Sequence, residues 1–245
     1  MNLLTIFVFV LIIVLAYTVY KLMTKTTATI SGFSDASKTL TVPSDKTGGN
    51  NYGYSVWLYI DNWVSSSVTS STTTTVNKNV ITRCNATGNP LFSMYLDNQQ
   101  NNLIVVVKGN ELAPCTINNV QLQKWINLTM SVYGNTLDLY LDGKLVRTCI
   151  MNTLPTQLRS GENVYIGGGY SPSMTSTSGS ITPQDGNLQG YISNVVYKDT
   201  YFTPEEAWSI YSDGYSGSGM FDFIHSYKLN FSITNNNQTV GKFSI

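Results

Sequence analysis

Few side chains in this sequence are of the kinds that carry chemistry. Its one histidine, His225, has Asp222 three residues away and no further cysteine or carboxylate cluster beside it, so it completes no metal ligand set. The three cysteines, Cys84, Cys115 and Cys149, lack the paired close spacing of zinc sites and leave room for one disulfide and one free thiol. Of the four glutamates, Glu205 and Glu206 are adjacent, while Glu111 and Glu162 fall in separate predicted loops. Glycoside hydrolysis needs two carboxylates roughly 5 to 9.5 Å apart, and no alternating acidic motif displays such a pair on one strand. With the one histidine in the tail, no Ser-His-Asp or Cys-His set is credible. The sequence therefore predicts no catalytic residues, no metal, no cofactor and no enzyme.

Binding chemistry is better represented. Trp57 and Tyr59 share one face of a predicted strand, where their rings can stack on a sugar. The competing reading buries them as a secondary core beneath loops. Asp97, Asn98 and Asn101 are the nearest set of oxygen ligands for calcium, but these residue types are also the ordinary currency of hairpin turns. N-glycosylation sequons stand at Asn85, Asn127, Asn230 and Asn237. Asn, Ser and Thr are frequent enough for chance to supply that many, and Asn127 lies inside a predicted strand.

The elements that must position these groups follow from composition and pattern. Acidic and basic residues balance at 14 each, so no net field steers the chain to nucleic acid. Charged residues are only 11% and Gly, Ser, Thr, Asn and Tyr are abundant, which favours strands and turns over helices. Leu3 to Tyr20 is an uncharged run of 18 residues, long enough to cross a bilayer as a helix. It has no charged region before it and no cleavage site after it, which favours a retained anchor over a signal peptide. Lys21 and Lys25 follow the run and, by the positive-inside rule, place the remainder in the cytosol.

The predicted organisation is an anchor over 1–23, a spacer and first strand region over 24–50, a sandwich over 51–215, and a tail over 216–245 with one strand. Tyr54 to Asp61 alternates, with Tyr54, Val56, Leu58 and Ile60 on the buried side. Further strands are predicted at Leu91–Leu96, Leu103–Val107, Ile126–Tyr133, Leu137–Asp142, Lys144–Cys149, Val164–Ile166 and Gly190–Tyr197. Gly134-Asn135 and Asp142-Gly143 make two of the reversals. Ser65 to Thr75 reads as a loop. One helix is marked by Thr203 as N-cap, Pro204 at N1, Glu206 completing a capping box, and Gly214 at its end. In the tail, Tyr227 to Thr234 alternates as a strand.

The ordered motifs Trp125-Ile-Asn-Leu-Thr, Leu137-Asp-Leu-Tyr-Leu-Asp-Gly-Lys144, Tyr165-Ile-Gly-Gly, Gly190-Tyr-Ile-Ser-Asn-Val-Val-Tyr197 and Phe202-Thr-Pro-Glu-Glu206 resemble the laminin-G-like, concanavalin A-like lectin/glucanase domain. That likeness spans Tyr54 to Gly214 and implies an all-β jelly-roll sandwich with one short helix, here preceded by a transmembrane helix. It does not select among lectins, adhesion modules, glycosidases and structural proteins. The stretch from Cys115 to Trp125, followed by Asp142-Gly-Lys-Leu-Val-Arg-Thr-Cys149, resembles membrane-anchored proteins of large cytoplasmic DNA viruses. This implies a Cys115–Cys149 bridge, with two buried thiols as the alternative. It also implies a virion component that binds the bilayer through Leu3 to Tyr20 and coat proteins through the sandwich. The other functional reading is a lectin or adhesion module that binds glycan through Trp57 and Tyr59.

Overall fold

A computed structural model describes residues 7, 9, 11–17, 27–44, 49–63, 77–97, 100–110, 113–171, 182–184, 188–215, 230–235 and 238–244. Two antiparallel sheets pack face to face. The first runs β1 (Thr27–Ser31), β15 (Gln189–Lys198), β4 (Tyr52–Asn62), β9 (Trp125–Tyr133), β10 (Thr136–Leu141) and β11 (Lys144–Ile150), and β2 (Ser34–Asp35) also pairs with β15. The second runs β14 (Thr182–Gln184), β13 (Gly169–Ser171), β5 (Asn77–Cys84), β6 (Pro90–Leu96), β7 (Leu103–Val107) and β8 (Cys115–Ile117). In it, β12 (Glu162–Ile166) joins β5 to β3 (Leu40–Ser44).

Alternation builds the core. Tyr52, Tyr54, Val56, Leu58 and Ile60 of β4 point inward beside Ile126, Leu128, Met130 and Val132 of β9, and all are buried. Each large apolar side chain so removed from water contributes about 1.5–3 kcal/mol. The β10–β11 reversal places Asp142 and Gly143 both at positive φ, which is the demand of a type I′ turn.

β1, β2 and β3 lie in the predicted first strand region of 24–50 and join the two sheets, whereas β5 lies where the sequence predicts no strand. β5 is central to the second sheet, and its inward Arg83 is fully buried. Glu162, predicted in a loop, opens β12 and forms a buried ion pair with Arg83 Nε. Arg83 also donates to Tyr54 Oη at 2.9 Å and to the Arg159 carbonyl at 2.8 Å. The polar side chains of β5 hid an inward-facing strand from the hydrophobic pattern.

Cys115 on β8 is disulfide-bonded to Cys149 on β11, with Cα atoms 5.9 Å apart. These are the last strands of the two sheets, so the bond closes one side of the sandwich, and its loop-closure contribution is about 3–4 kcal/mol. Cys84 is free and buried, and burial beside Glu162 pushes its thiol up to about 12.

The predicted single tail strand is instead a hairpin, β16 (Asn230–Asn235) with β17 (Gln238–Ser244), forming its own two-stranded sheet. Among the described residues no helix is long and apolar enough to cross a membrane. Within the Leu3 to Tyr20 run, residues 7, 9 and 11–17 are helical and the rest lies outside the described residues. Also outside them are Asn98, Glu111, Asp222, His225, Asn237 and the stretch from Ser65 to Thr75.

Candidate functional site

The outward side chains of the first sheet form four rows across β15, β4 and β9. From one end to the other these are Lys198, Gly53 and Ser131; Val196, Ser55 and Thr129; Ser193, Trp57 and Asn127; and Tyr191, Tyr59 and Trp125. The rows differ in what lies over them.

Helix α1 (Pro204–Asp213) covers the first three. Its start is fixed by the capping box, in which Thr203 Oγ1 accepts from the Glu206 N–H and Glu206 accepts from the Thr203 N–H. Lys198 pairs with Glu206, which ties the helix to β15. Burial pushes the Glu206 carboxyl up, but its bonds from Lys198 and Thr203 dominate and hold it below the usual carboxylate range. Ser131 Oγ both donates to the Phe202 carbonyl and accepts from the Phe202 N–H, at 2.9 Å each. The Phe202 ring lies on Gly53, where any Cβ would stand 2.3 Å from it.

This cover bears on Trp57, for which the sequence offers a sugar-stacking face and a secondary core. It is only 5% exposed, and Tyr211 of α1 stacks on it at 5.6 Å and 17°. Trp57 is thus packed as secondary core beneath α1. Beside it, Asn127 is fully buried, donating to Ser55 Oγ and accepting from Thr129 Oγ1, so its sequon is out of reach of a glycan. Asn85 is half-buried in a turn, its Oδ1 accepting from the N–H groups of Thr87 and Asn89. Asn230 opens β16.

Among the described residues no helix covers the fourth row. Tyr59 lies between Tyr191 at 6.3 Å and Trp125 at 5.6 Å, all three on adjacent strands. Phe33, from the β1–β2 connection, stacks on Tyr191 at 5.3 Å and tilts against Trp125 at 6.2 Å. Tyr215, just after α1, stacks parallel on Trp125 at 4.7 Å, and its carbonyl accepts from Ser193 Oγ. Phe33 is 66% exposed, Tyr215 45% and Tyr191 43%, so the five rings make a continuous surface platform. Of the two sequence candidates, Tyr59 belongs to it and Trp57 does not.

A shallow depression of about 260 Å³ adjoins Tyr191, lined also by Asp35, Ser37, Asp61, Gln189 and Gly190. Gly190 has φ +146°, and a Cβ there would sit 1.9 Å from the Tyr59 carbonyl oxygen. This close approach brings β15 and β4 together beneath the platform. Asp35 accepts from the Ser37 N–H at 2.8 Å; that bond, the Ser37 hydroxyl and nearby Lys38 hold its carboxyl below the usual range. A general acid needs the opposite shift. Glu162 and Glu206 are committed to their ion pairs and Glu205 sits in the first helical turn. Asn101 donates to Asn119 Oδ1 and to the Val120 carbonyl, which makes its amide a loop brace. Among the described residues no group of three His, Cys, Asp or Glu could hold a metal ion.

Phe33, Trp125, Tyr191 and Tyr215 were not singled out from sequence as binding residues. Tyr59 and Trp125 are far apart in the chain, and only the β4–β9 register makes them neighbours.

A family model, the concanavalin A-like lectin/glucanases superfamily, matches residues 34–207. No curated protein matches the chain in sequence. Among solved structures, a native heptameric SAP-like pentraxin from Limulus polyphemus is 15% identical with a TM-score of 0.52, covering 77% of this chain and 82% of that one. The receptor binding domain of botulinum neurotoxin D is 13% identical with a TM-score of 0.51, covering 75% of this chain and 44% of that one. At these identities the likeness establishes the architecture alone.

Proposed function

The chain belongs to the concanavalin A-like lectin/glucanases superfamily, and on that premise we propose that it is a non-catalytic, membrane-tethered module that binds a neutral saccharide on its open aromatic platform. One observation carries this reading: five partly exposed rings form a continuous surface next to a depression rimmed by Asp35, Asp61 and Gln189. Aromatic faces stack on the C–H faces of pyranose rings, while carboxylates and an amide bond their hydroxyls. Two carboxylates at the rim disfavour anionic sugars. That the receptor binding domain of a botulinum neurotoxin shares the fold supports a binding role.

The tether is the Leu3 to Tyr20 run. In its helical part Leu11, Ile12, Ile13, Val14 and Leu15 are all more than half exposed, the surface that a lipid environment would cover. We place the sandwich on the non-cytosolic side, because a disulfide joining its two sheets persists in an oxidising compartment. Lys21 and Lys25 weigh for the opposite orientation.

The test is titration of the full-length protein in nanodiscs with neutral oligosaccharides and with sialylated ones, read by tryptophan fluorescence and by a glycan array. Binding of neutral glycans that Trp125→Ala weakens supports the assignment. Uniform silence across the array overturns it.

A second reading, a virion component linking membrane to coat proteins, is favoured by the edge strand β11. Leu145, Val146 and Ile150 are exposed there on a strand that has no outer neighbour among the described residues, which suits strand addition by a protein partner. Absence of the protein from purified particles would remove this reading.

A further inference from the structure

The chain enters the sandwich at the end of the first sheet opposite to the platform. β1 begins at Thr27, paired with Lys198, and runs along β15 to Ser31, beside Val195. β2 continues in the same direction, so that Asp35 pairs with Tyr191. From the Lys198–Gly53 pair to the Tyr191–Tyr59 pair the sheet rises six residues of β4, roughly 20 Å at about 3.3 Å per residue. Residues 21–26 connect Tyr20 to Thr27 over at most about 24 Å, so the anchor lies nearer the Lys198 end unless that connection doubles back almost fully extended along the sheet.

The platform's other conceivable partner is the chain's own bilayer, since exposed tyrosine and tryptophan also mark membrane interfaces. The charges around it oppose that. Its rim carries Asp35 and Asp61; of the nearby cations, Lys38 is exposed and Lys124 is paired with Asp142 at 3.6 Å. Helix α1 stands on the same face and exposes Glu205 and Asp213. A bilayer laid flat on this face would meet the helix and its carboxylates beside the rings, with Lys38 and Lys124 set against Asp35, Asp61, Asp142, Glu205 and Asp213 and no basic cluster of the kind that draws proteins to anionic lipid.

We propose that the platform points away from the membrane holding the chain and takes saccharide carried by an apposed surface. This rests on the binding and anchoring readings above, and its orientation can be measured without any ligand. In the full-length protein reconstituted in vesicles, Lys38→Cys and Asp199→Cys place a dye at the platform end and at the tether end respectively; both positions are exposed. Cys84 is buried and the other two cysteines are bonded, so the new thiol takes the label.

Energy transfer to an acceptor lipid should be at least twofold weaker from position 38 than from position 199. Equal or stronger transfer from position 38 overturns the orientation. In a second assay, vesicles displaying a neutral glycolipid are mixed with the proteoliposomes. Clustering that Trp125→Ala abolishes supports recognition across a gap. Weak transfer from position 38 without clustering leaves the orientation standing and removes the saccharide. Binding to glycolipid in the same vesicle, without clustering, removes the recognition across a gap.

Discussion

Trp57 and Trp125 sit on the same face of the same sheet, one row apart, and have opposite fates. Trp57 lies under α1 with Tyr211 stacked on it, while Trp125 lies beyond the helix and keeps part of its surface in water. Residue type and strand alternation are identical for the two. The difference is made by ten residues of helix and by what fixes them: the Thr203 capping box, the Lys198–Glu206 pair, and the glycines at 53 and 143 that let the helix approach. An aromatic face becomes core or exposed surface according to where its cover ends.

Removing a ring from the covered half should have the largest effect. Trp57→Ala opens a cavity beneath α1 and is expected to cost about 3–5 kcal/mol in chemical denaturation. A loss below about 1 kcal/mol would show that the helix does not hold this half closed.

Gly53→Ala pushes a methyl into the Phe202 ring and should cost about 1–3 kcal/mol, with the loss concentrated in α1 when read by amide exchange. On the open half the order reverses. Tyr191→Ala should change stability by less than about 1 kcal/mol, whereas Trp125→Ala should weaken neutral-saccharide binding about tenfold.

The smallest effect concerns the pair that pins the helix. Glu206 is held below its ordinary carboxyl pKa in the folded protein, so its contribution is fully present above the unfolded value and is lost as pH falls through the folded one. Its side chain is 38% exposed, so solvent screens the pair. Glu206→Gln should therefore cost under about 1 kcal/mol at neutral pH and flatten the acid limb of a stability–pH curve.

Much of the sandwich was legible because its strands alternate cleanly and their turns carry the residues such turns require. β4, β9 and β10 read directly, and so did the start of α1, whose cap is a local motif. β5 did not, because Lys78, Asn79, Thr82 and Arg83 are buried polar residues, and Asn79 and Arg83 find their partners on β12 and β4. Glu162 was unreadable for the same reason: its partner Arg83 is 79 residues away. The platform was half legible. Tyr59 and Trp57 stand out as aromatics on one strand face, but nothing local says that Tyr211 would cover one of them. Nor does any local signal bring Phe33, Tyr191 and Trp125 to the other. Those neighbours come from register between strands distant in sequence.

The way β1 enters the sheet has a mechanical consequence. Its first residue lies beside Lys198, at the end that the proposed tether would hold, and the strand runs lengthwise beside β15 toward the platform. A pull between a bound surface and the membrane would draw β1 along its own axis, in shear. Its hydrogen bonds to β15 would then share the force in parallel, where a pull from the opposite end of the strand would peel them apart one after another.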